Sequence, residues 1–296
     1  MSVKQLFHKK SELRGKLLIT ISAVVMMAMM LSITIFLTVK GMQSFVINEV
    51  DPITFLTQSN WNPTDPINPT YGAWAFIFGS IAVTLLSALV ATPISIGCAL
   101  FMTEIAKKTG SKLLQPVMEI LVGIPSVVYG LVGLTVIVPL IRQYFGGSGF
   151  GVLAGTIVIS MMIFPTITSI AADALRAIPQ QLNEASYALG ATRWETISKI
   201  ILPSALPALL TAVILGMARA FGEALAVQMV IGNAKDMPQS LLEPAATITS
   251  IITLSMGHTP YGSVHNNVLW SLGLILLIIS FLFIMIVRFL SKRSKI

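Results

Sequence analysis

Two ionisable residues, Arg219 and Glu223, stand four residues apart in the apolar segment LGMARAFGEALAVQMV. If the segment is one helix, both side chains lie on the same face. A charge at the centre of a bilayer costs about 2.5–3.5 kcal/mol on insertion scales, so such residues normally face a bundle interior or a water-filled path. A guanidinium fits a tetrahedral oxyanion through a planar fork of donors. We therefore predict an anion pathway, in which Glu223 orients Arg219 or accepts a proton from the anion. An ion pair that only fixes helix packing is the alternative.

A second polar stretch, GIPSVVYGLVG, has the composition of a pathway lining. Ser126 and Tyr129 follow Pro125, which frees a backbone carbonyl, and breaks of this kind persist in membranes where they line a cavity. A proline kink whose neighbouring hydroxyls bond to the backbone explains the stretch equally well. Pro165, in the segment IFPTITS, predicts a similar break, and there we favour the simple kink.

The remaining polar residues do not form a catalytic or metal-binding set. His258 and His265 stand in a predicted outside loop without a matching cysteine or acidic cluster, so no metal site is expected. The predicted spans contain neither a serine with a histidine nor two aspartates. An intramembrane hydrolase is therefore disfavoured, and no catalytic residues are expected. The single cysteine, Cys98, lies in an apolar run and suits a small core position.

The composition predicts an integral membrane protein. Hydrophobic residues make up 55% of the chain and charged residues 10%, whereas soluble domains are about 25% charged. Apolar runs of roughly 17–25 residues can cross a bilayer. We predict a cytoplasmic segment, 1–16, followed by a single transmembrane domain, 17–296. Its six predicted spans are 17–39, 73–103, 117–141, 151–172, 205–232 and 267–289, each given approximately.

The basic residues predict the orientation in a cell membrane. They cluster at both termini, within 104–116 and within 173–204, whereas the opposite side has only Lys40, Arg142 and Lys235. The positive-inside rule therefore places both termini in the cytoplasm. Because the net charge of +7 lies at the ends of apolar runs, the expected partner of these residues is the lipid bilayer and not a nucleic acid.

The segment 173–204 is a polar insert between two apolar spans. Apolar residues recur in it at helical spacing, Gly190 predicts a helix stop, and Thr192 predicts the cap of a second helix. We predict two short amphipathic helices that meet at a glycine bend. An ordinary loop on the membrane surface is the alternative, but a docking element for a cytoplasmic partner explains more of the pattern.

The same insert resembles the EAA-loop signature of permease subunits of binding-protein-dependent ABC importers, E-A-A-x3-G-x9-I-x-L-P, with a serine in place of the second alanine. The resemblance implies an all-α, type I importer-like fold with six transmembrane helices, whose loop is a coupling helix seated in a groove of a separate ATPase subunit. It also implies that the partner ATPase binds ATP and Mg²⁺, that this chain holds no cofactor, and that it is not itself an enzyme. The matching residues are Glu184, Ala185, Ser186, Gly190, Ile200, Leu202 and Pro203.

Three further segments resemble the PstC family of phosphate-importer permeases: GSIAVTLLSALVATPISIGCALFMTEIA, EILVGIPSVVYGLVG and GMARAFGEALAVQMVIGNA. This resemblance covers most of the chain. It implies inorganic phosphate as the substrate, a second PstA-like permease, a dimer of PstB-like ATPases and an extracytoplasmic PstS-like phosphate-binding protein. The alternatives are a permease for sulfate, molybdate or tungstate, a PstA-type sister subunit, and a passive anion channel. Without this resemblance, composition and spacing indicate only a permease with an intramembrane Arg–Glu pair.

Overall fold

Six apolar helices dominate the structure, a computed structural model that describes residues 3–106 and 109–293. Within those residues, six helices are long and apolar enough to cross a membrane, which confirms the predicted number of spans. They are Gly15–Val46, Trp74–Ile105, Ser126–Phe145, Val152–Arg176, Arg193–Phe221 and Val264–Ile286.

The first half of the chain contains three of these helices, and a small irregular region lies between the first and the second. In that region, a two-residue antiparallel hairpin pairs Trp61 with Tyr71. The elements are α1 (Val3–Val46), α2 (Pro52–Thr57), β1 (Trp61–Asn62), β2 (Thr70–Tyr71), α3 (Trp74–Leu100), α4 (Thr109–Gly123), α5 (Ser126–Val132) and α6 (Val138–Phe145).

The second half contains the polar insert and the last three spans. The elements are α7 (Val152–Arg176), α8 (Gln180–Ala188), α9 (Arg193–Thr196), α10 (Leu202–Phe221), α11 (Leu225–Val230), α12 (Ile248–Ser255) and α13 (Val264–Arg293). Wider π-helical turns extend α3 over Phe101–Ile105, join α5 to α6 over Gly133–Ile137, and join α9 to α10 over Ile197–Ile201. Such turns are frequent at functional sites.

The third predicted span, 117–141, is interrupted at Pro125, where the sequence indicated a break or a kink. α4 ends at Gly123 and α5 begins at Ser126. Pro125 adopts φ −57° and ψ 139°. A proline lacks an N–H and disfavours helical geometry in the residue before it, which explains the break at this position. The apolar span proper is Ser126–Phe145.

The fifth span is displaced toward the N-terminus relative to the prediction of 205–232. Its helix begins at Arg193, inside the predicted loop, and ends at Phe221. The segment from Leu225 to Val230 is a separate short helix, α11. Conversely, α7 passes through Pro165 without interruption, which excludes a break there and leaves the simple kink that the sequence analysis favours.

Helix α7 forms the centre of the bundle and packs against α3 and α10. Ser87 of α3 donates a hydrogen bond to the Thr156 carbonyl at 3.1 Å. On the other side, a Cβ at Gly216 of α10 would lie 2.5 Å from Ile167 Cγ1. Small side chains at such crossings let the backbones approach closely, which is how membrane helices gain packing energy.

Helix α1 joins the bundle through α13. Ser44 and Ser271 hydroxyls lie 2.6 Å apart, and Asn267 donates to Asn48 at 2.8 Å. The ring of Phe36 packs edge-on against Trp270. By contrast, the large apolar side chains from residue 17 to residue 35 are exposed.

Because the chain has six spans, the successive connections between them alternate between the two sides of the bundle. We call the side of residues 177–192 the loop side, and it also carries the connection from α3 to α4. The far side carries α2, the hairpin and the connection from α11 to α13.

At the start of α2, the Asp51 carboxylate accepts the Thr54 N–H at 2.8 Å. Hydrogen bonds from the hydroxyl and then the N–H of Thr54 lower the pKa of that carboxyl.

Candidate functional site

Arg219 lies in the last turn of α10 and is half-buried. Its Nη1 donates a hydrogen bond to the Thr166 hydroxyl of α7 at 2.9 Å. The close approach of α10 to α7 at Gly216, one turn away, brings the guanidinium within reach of that hydroxyl. Sequence analysis missed Thr166, because its only signal is a hydroxyl beside Pro165 and hydroxyls are common in apolar helices.

Glu223 does not share a helix face with Arg219, so that prediction is wrong. The helix ends between them, and Glu223 lies in the short connection from α10 to α11. Its Oε1 accepts the Ala226 N–H at 3.0 Å, which places a carboxylate at the N-terminus of α11, where negative charge is favourable. Among the residues that the structure describes, Arg219 and Glu223 form no ion pair within 4.0 Å. The two side chains have separate partners.

Hydroxyl groups of α3 and α12 lie near Glu223. The Glu223 carbonyl, which the end of α10 leaves free, accepts a hydrogen bond from the Thr249 hydroxyl of α12 at 2.8 Å. Ser80 of α3 accepts the Ile248 N–H at 2.9 Å. A cavity of about 10 Å³ lies among these groups, close to the smallest volume that holds one water molecule. Sequence analysis missed this cluster because its members are distant in the chain.

Tyr129 and Ser126 lie just after the break in the third span. The buried Tyr129 hydroxyl donates to the Leu121 carbonyl at 2.8 Å, across the break, as the proline-kink alternative expects. Tyr129 is also close enough to Arg219 for an electrostatic interaction between the two side chains. Ser126 is half-buried at the start of α5, and within the described part of the chain its hydroxyl has no hydrogen-bond partner.

Helix α5 is held in this position by α11. A Cβ at Gly130 would lie 2.9 Å from Ala226 Cα and 2.7 Å from Met229 Sδ. A larger residue at position 130 would therefore push the two short helices apart. The break at Pro125 and the break after Phe221 place α5 and α11 side by side, with Arg219 and Tyr129 near their contact.

The insert between the fourth and fifth spans has the predicted bend. Gly190 adopts φ +82°, and Thr192 caps the next helix through a reciprocal capping box with Glu195. The second helix is not short, because it continues from Arg193 to the end of the fifth span. A buried hydrogen bond of 2.9 Å between Ser186 and Thr196 joins the two arms of the bend.

The signature residues of the insert divide by exposure. Glu184, Ala185, Gly190 and Pro203 are exposed, Ile200 and Leu202 are half-buried, and Ser186 is buried. Next to the exposed positions, Leu189 is 90% exposed and Trp194 is 69% exposed. A groove of about 490 Å³ runs between the arms. Large apolar side chains at such exposure mark an interaction surface.

Residues 91–296 match the family described as "Binding-protein-dependent transport system inner membrane component". The chain belongs to this family. It is a permease subunit of an ABC transporter and a multi-pass plasma membrane protein. Permeases of this family work with an ATPase and a substrate-binding protein, and the permease chains are not ATPases themselves.

Several named proteins are similar to this permease over most of their length. The "Probable ABC transporter permease protein YqgH" of Bacillus subtilis is 62% identical over 286 residues, which cover 96% of this chain and 92% of that protein. The "Phosphate transport system permease protein PstC" of Xylella fastidiosa (strain 9a5c) is 33% identical, covering 94% and 90%.

Solved structures support the same fold. A chain of a bacterial ABC transporter for the import of alginate has a TM-score of 0.61 at 16% identity, covering 92% of this permease and 96% of that chain. A chain of the inward-facing MetNI methionine ABC transporter has a TM-score of 0.58 at 22% identity, covering 74% and 94%. At these identities the likeness shows the fold alone.

Proposed function

We propose that this permease is a PstC-type subunit of an ATP-driven phosphate importer and forms half of its transmembrane pathway. The observation that carries the proposal is the half-buried Arg219 guanidinium, which bonds to a neutral hydroxyl and, among the described residues, to no carboxylate. A cation at membrane depth without a counter-ion favours an anion as its ligand. The similarity to proteins named as phosphate permeases supports phosphate as that anion.

Phosphate suits the groups around Arg219. A guanidinium donates two parallel hydrogen bonds to a tetrahedral oxyanion, and the Thr166 hydroxyl is a further partner beside it. Ser126 and Tyr129 line the neighbouring part of the pathway. Monohydrogen phosphate also carries a proton that a carboxylate accepts, and Glu223 is the nearest such group along the chain. Sulfate lacks that proton at neutral pH.

The importer in this proposal contains three further kinds of subunit. A PstA-like permease completes the pathway, a PstB-like dimer binds ATP and Mg²⁺, and a PstS-like protein delivers phosphate to the far side. Closure of the ATPase dimer moves the 173–204 loop, and the helices rearrange between inward and outward access. Glu184 and the bend at Gly190 are the proposed coupling residues. The loop side, with both termini, is then the cytoplasmic side.

Uptake of labelled phosphate by cells that depend on this system tests the pathway. We expect Arg219→Gln to reduce uptake roughly tenfold or more at equal membrane abundance, because hydrogen bonds to charged groups contribute about 1.5–3 kcal/mol. The matched control is Arg142→Gln, an exposed arginine at the end of α6, which should leave uptake unchanged.

Other outcomes of this experiment separate the alternatives. Normal uptake by Arg219→Gln would make Arg219 a packing residue and refute the pathway assignment. Competition by sulfate or molybdate would assign the permease to another oxyanion. Phosphate flux in the absence of the ATPase would indicate a passive channel.

A further inference from the structure

Arg193, the first residue of α9, ties the 173–204 loop to the second span. Its Nη2 donates hydrogen bonds to the backbone carbonyls of Glu104 and Ile105, the latter at 3.0 Å. These carbonyls belong to the π-helical turn that ends the second span. The contact joins segments almost ninety residues apart in the chain, and it lies outside the signature positions of the loop.

The chemistry of this contact makes it specific. The last carbonyls of a helix have no partner within the helix and carry partial negative charge. A guanidinium next to them makes charge-assisted hydrogen bonds that depend on direction. The capping box of Thr192 and Glu195 fixes the start of α9. Movement of this part of the loop therefore carries the Arg193 guanidinium with it.

After the second span, the chain leads from this contact through α4 toward the proposed pathway. The chain passes from Ile105 into α4, whose residues Ser111 and Gln115 accept hydrogen bonds from Arg176 at the end of α7, at 3.0 and 2.9 Å. α4 then ends at the break before Ser126. The Tyr129 hydroxyl spans the break and bonds to α4 at Leu121.

We propose that Arg193 is a positioning residue that transmits movement of the loop to the end of the second span, and through α4 to the broken helix beside Arg219. The inference rests on the proposed coupling role of the loop. It assigns the transmission to one guanidinium and two carbonyls rather than to general packing. Lys199, in contrast, bonds to Glu195 within its own helix and, among the residues that the structure describes, joins no second element.

The test uses the complete complex with its ATPase subunits and a nucleotide-dependent readout that needs no substrate. Cys98, the single cysteine, is replaced by alanine, and Ser126→Cys is introduced as a reporter beside the break. The rate of maleimide alkylation at position 126 is compared between the nucleotide-free and the ATP–vanadate-trapped complex. We expect a difference of roughly fivefold or more, within the range of typical coupling between sites.

In this background, Arg193→Ala should reduce the nucleotide-dependent difference to less than about twofold, while ATPase association and ATP hydrolysis persist. Arg193→Lys should give an intermediate response, because an ammonium is a point charge without the guanidinium fork. Lys112→Ala removes an exposed cation of the loop side and should respond as the parent does.

An unchanged response in Arg193→Ala would overturn the proposal, and so would loss of ATPase association, which would make the residue a docking contact. A parent complex that does not respond to nucleotide would overturn the coupling role of the loop as well. A normal response in the reporter complex, together with no phosphate uptake by the complex that retains Ser126 and Cys98, would refute phosphate as the substrate and leave the role of Arg193 standing.

Discussion

At the scale of single residues, the pathway side chains are held by neutral partners. Arg219 bonds to Thr166, and Tyr129 bonds to a backbone carbonyl. A neutral hydroxyl positions a guanidinium without cancelling its charge, so the positive potential remains available to an anion. Glu223 caps α11 instead of neutralising Arg219. This separation is consistent with an anion pathway and differs from the packing ion pair considered as its alternative.

The hydroxyl of Tyr129 should stabilise the break in the third span. In Tyr129→Phe the Leu121 carbonyl loses the shorter of its two hydrogen bonds and keeps the one from the Ile124 N–H at 3.3 Å, and a typical intramolecular hydrogen bond contributes about 0.5–1.5 kcal/mol. We expect the free energy of unfolding of the permease, measured by SDS titration, to fall by about that amount. Tyr144→Phe is the control, since Tyr144 is 74% exposed on α6. Equal losses in the two variants would exclude a specific role for the Tyr129 hydrogen bond.

At the scale of elements, interruptions of the helices position the functional groups. The break at Pro125 and the end of α10 at Phe221 bring α5 and α11 together. Each interruption lies at an end of one of the six apolar spans. Non-helical backbone next to the apolar region of a membrane needs internal partners, and the hydrogen bonds to the carbonyls of Leu121 and Glu223 supply two of them.

The bend at Gly190 should be required for the form of the loop that binds the ATPase. Among the described residues, nothing beyond the two chain neighbours of Gly190 lies within 4 Å of a Cβ at this position, so within the permease a substitution there acts through its φ of +82°. Left-handed geometry costs an L-residue roughly 1–2 kcal/mol. Gly190→Ala should therefore reduce the population of the bend, and ATPase co-purification, by roughly 5–30-fold.

Gly190→Asn is the matched variant for this prediction, because asparagine tolerates left-handed geometry better than alanine does. Co-purification of the ATPase with Gly190→Asn should be closer to that of the parent. If alanine and asparagine reduced it equally, the glycine would be needed for space against the partner and not for its backbone conformation.

At the scale of the whole molecule, α1 stands apart from the rest of the bundle. It is attached by polar contacts and close packing on the far side, while its large apolar side chains toward the loop side remain exposed. A membrane helix gains little by burying apolar surface from lipid, so its position depends on close packing and hydrogen bonds. Gly41 lies at the centre of that attachment.

Substitution at Gly41 should detach α1 from α13. A Cβ at this position would lie 2.6 Å from Leu274 Cβ and 3.1 Å from the Trp270 carbonyl, neither of which is a flexible end. We expect Gly41→Val to lower the yield of bis-maleimide cross-linking between Leu37→Cys and Gly273→Cys in a Cys98→Ala background. Gly15→Val, on the same helix with nothing within 4 Å, is the control. An undiminished yield in Gly41→Val would contradict this attachment.

The sequence by itself determined the features that depend on local composition. Hydropathy predicted six spans, because each run must be apolar along its own length to face lipid. Gly190 and Thr192 predicted the bend of the insert, since a glycine stop and a threonine cap act within a few residues. The spacing from Glu184 to Pro203 indicated the permease family for the same reason, and the match to that family confirms it.

Only the tertiary structure decided which distant groups meet. The partner of Arg219 is Thr166, that of Arg193 is the end of the second span, and that of the Glu223 carboxylate is the start of α11. Apolar periodicity does not predict such contacts, because many hydroxyls and carbonyls are equivalent in sequence and packing of the helices selects among them. Packing of the helices also decides where a helix ends inside a membrane, since a helix can stop there only where another element supplies the missing hydrogen bonds.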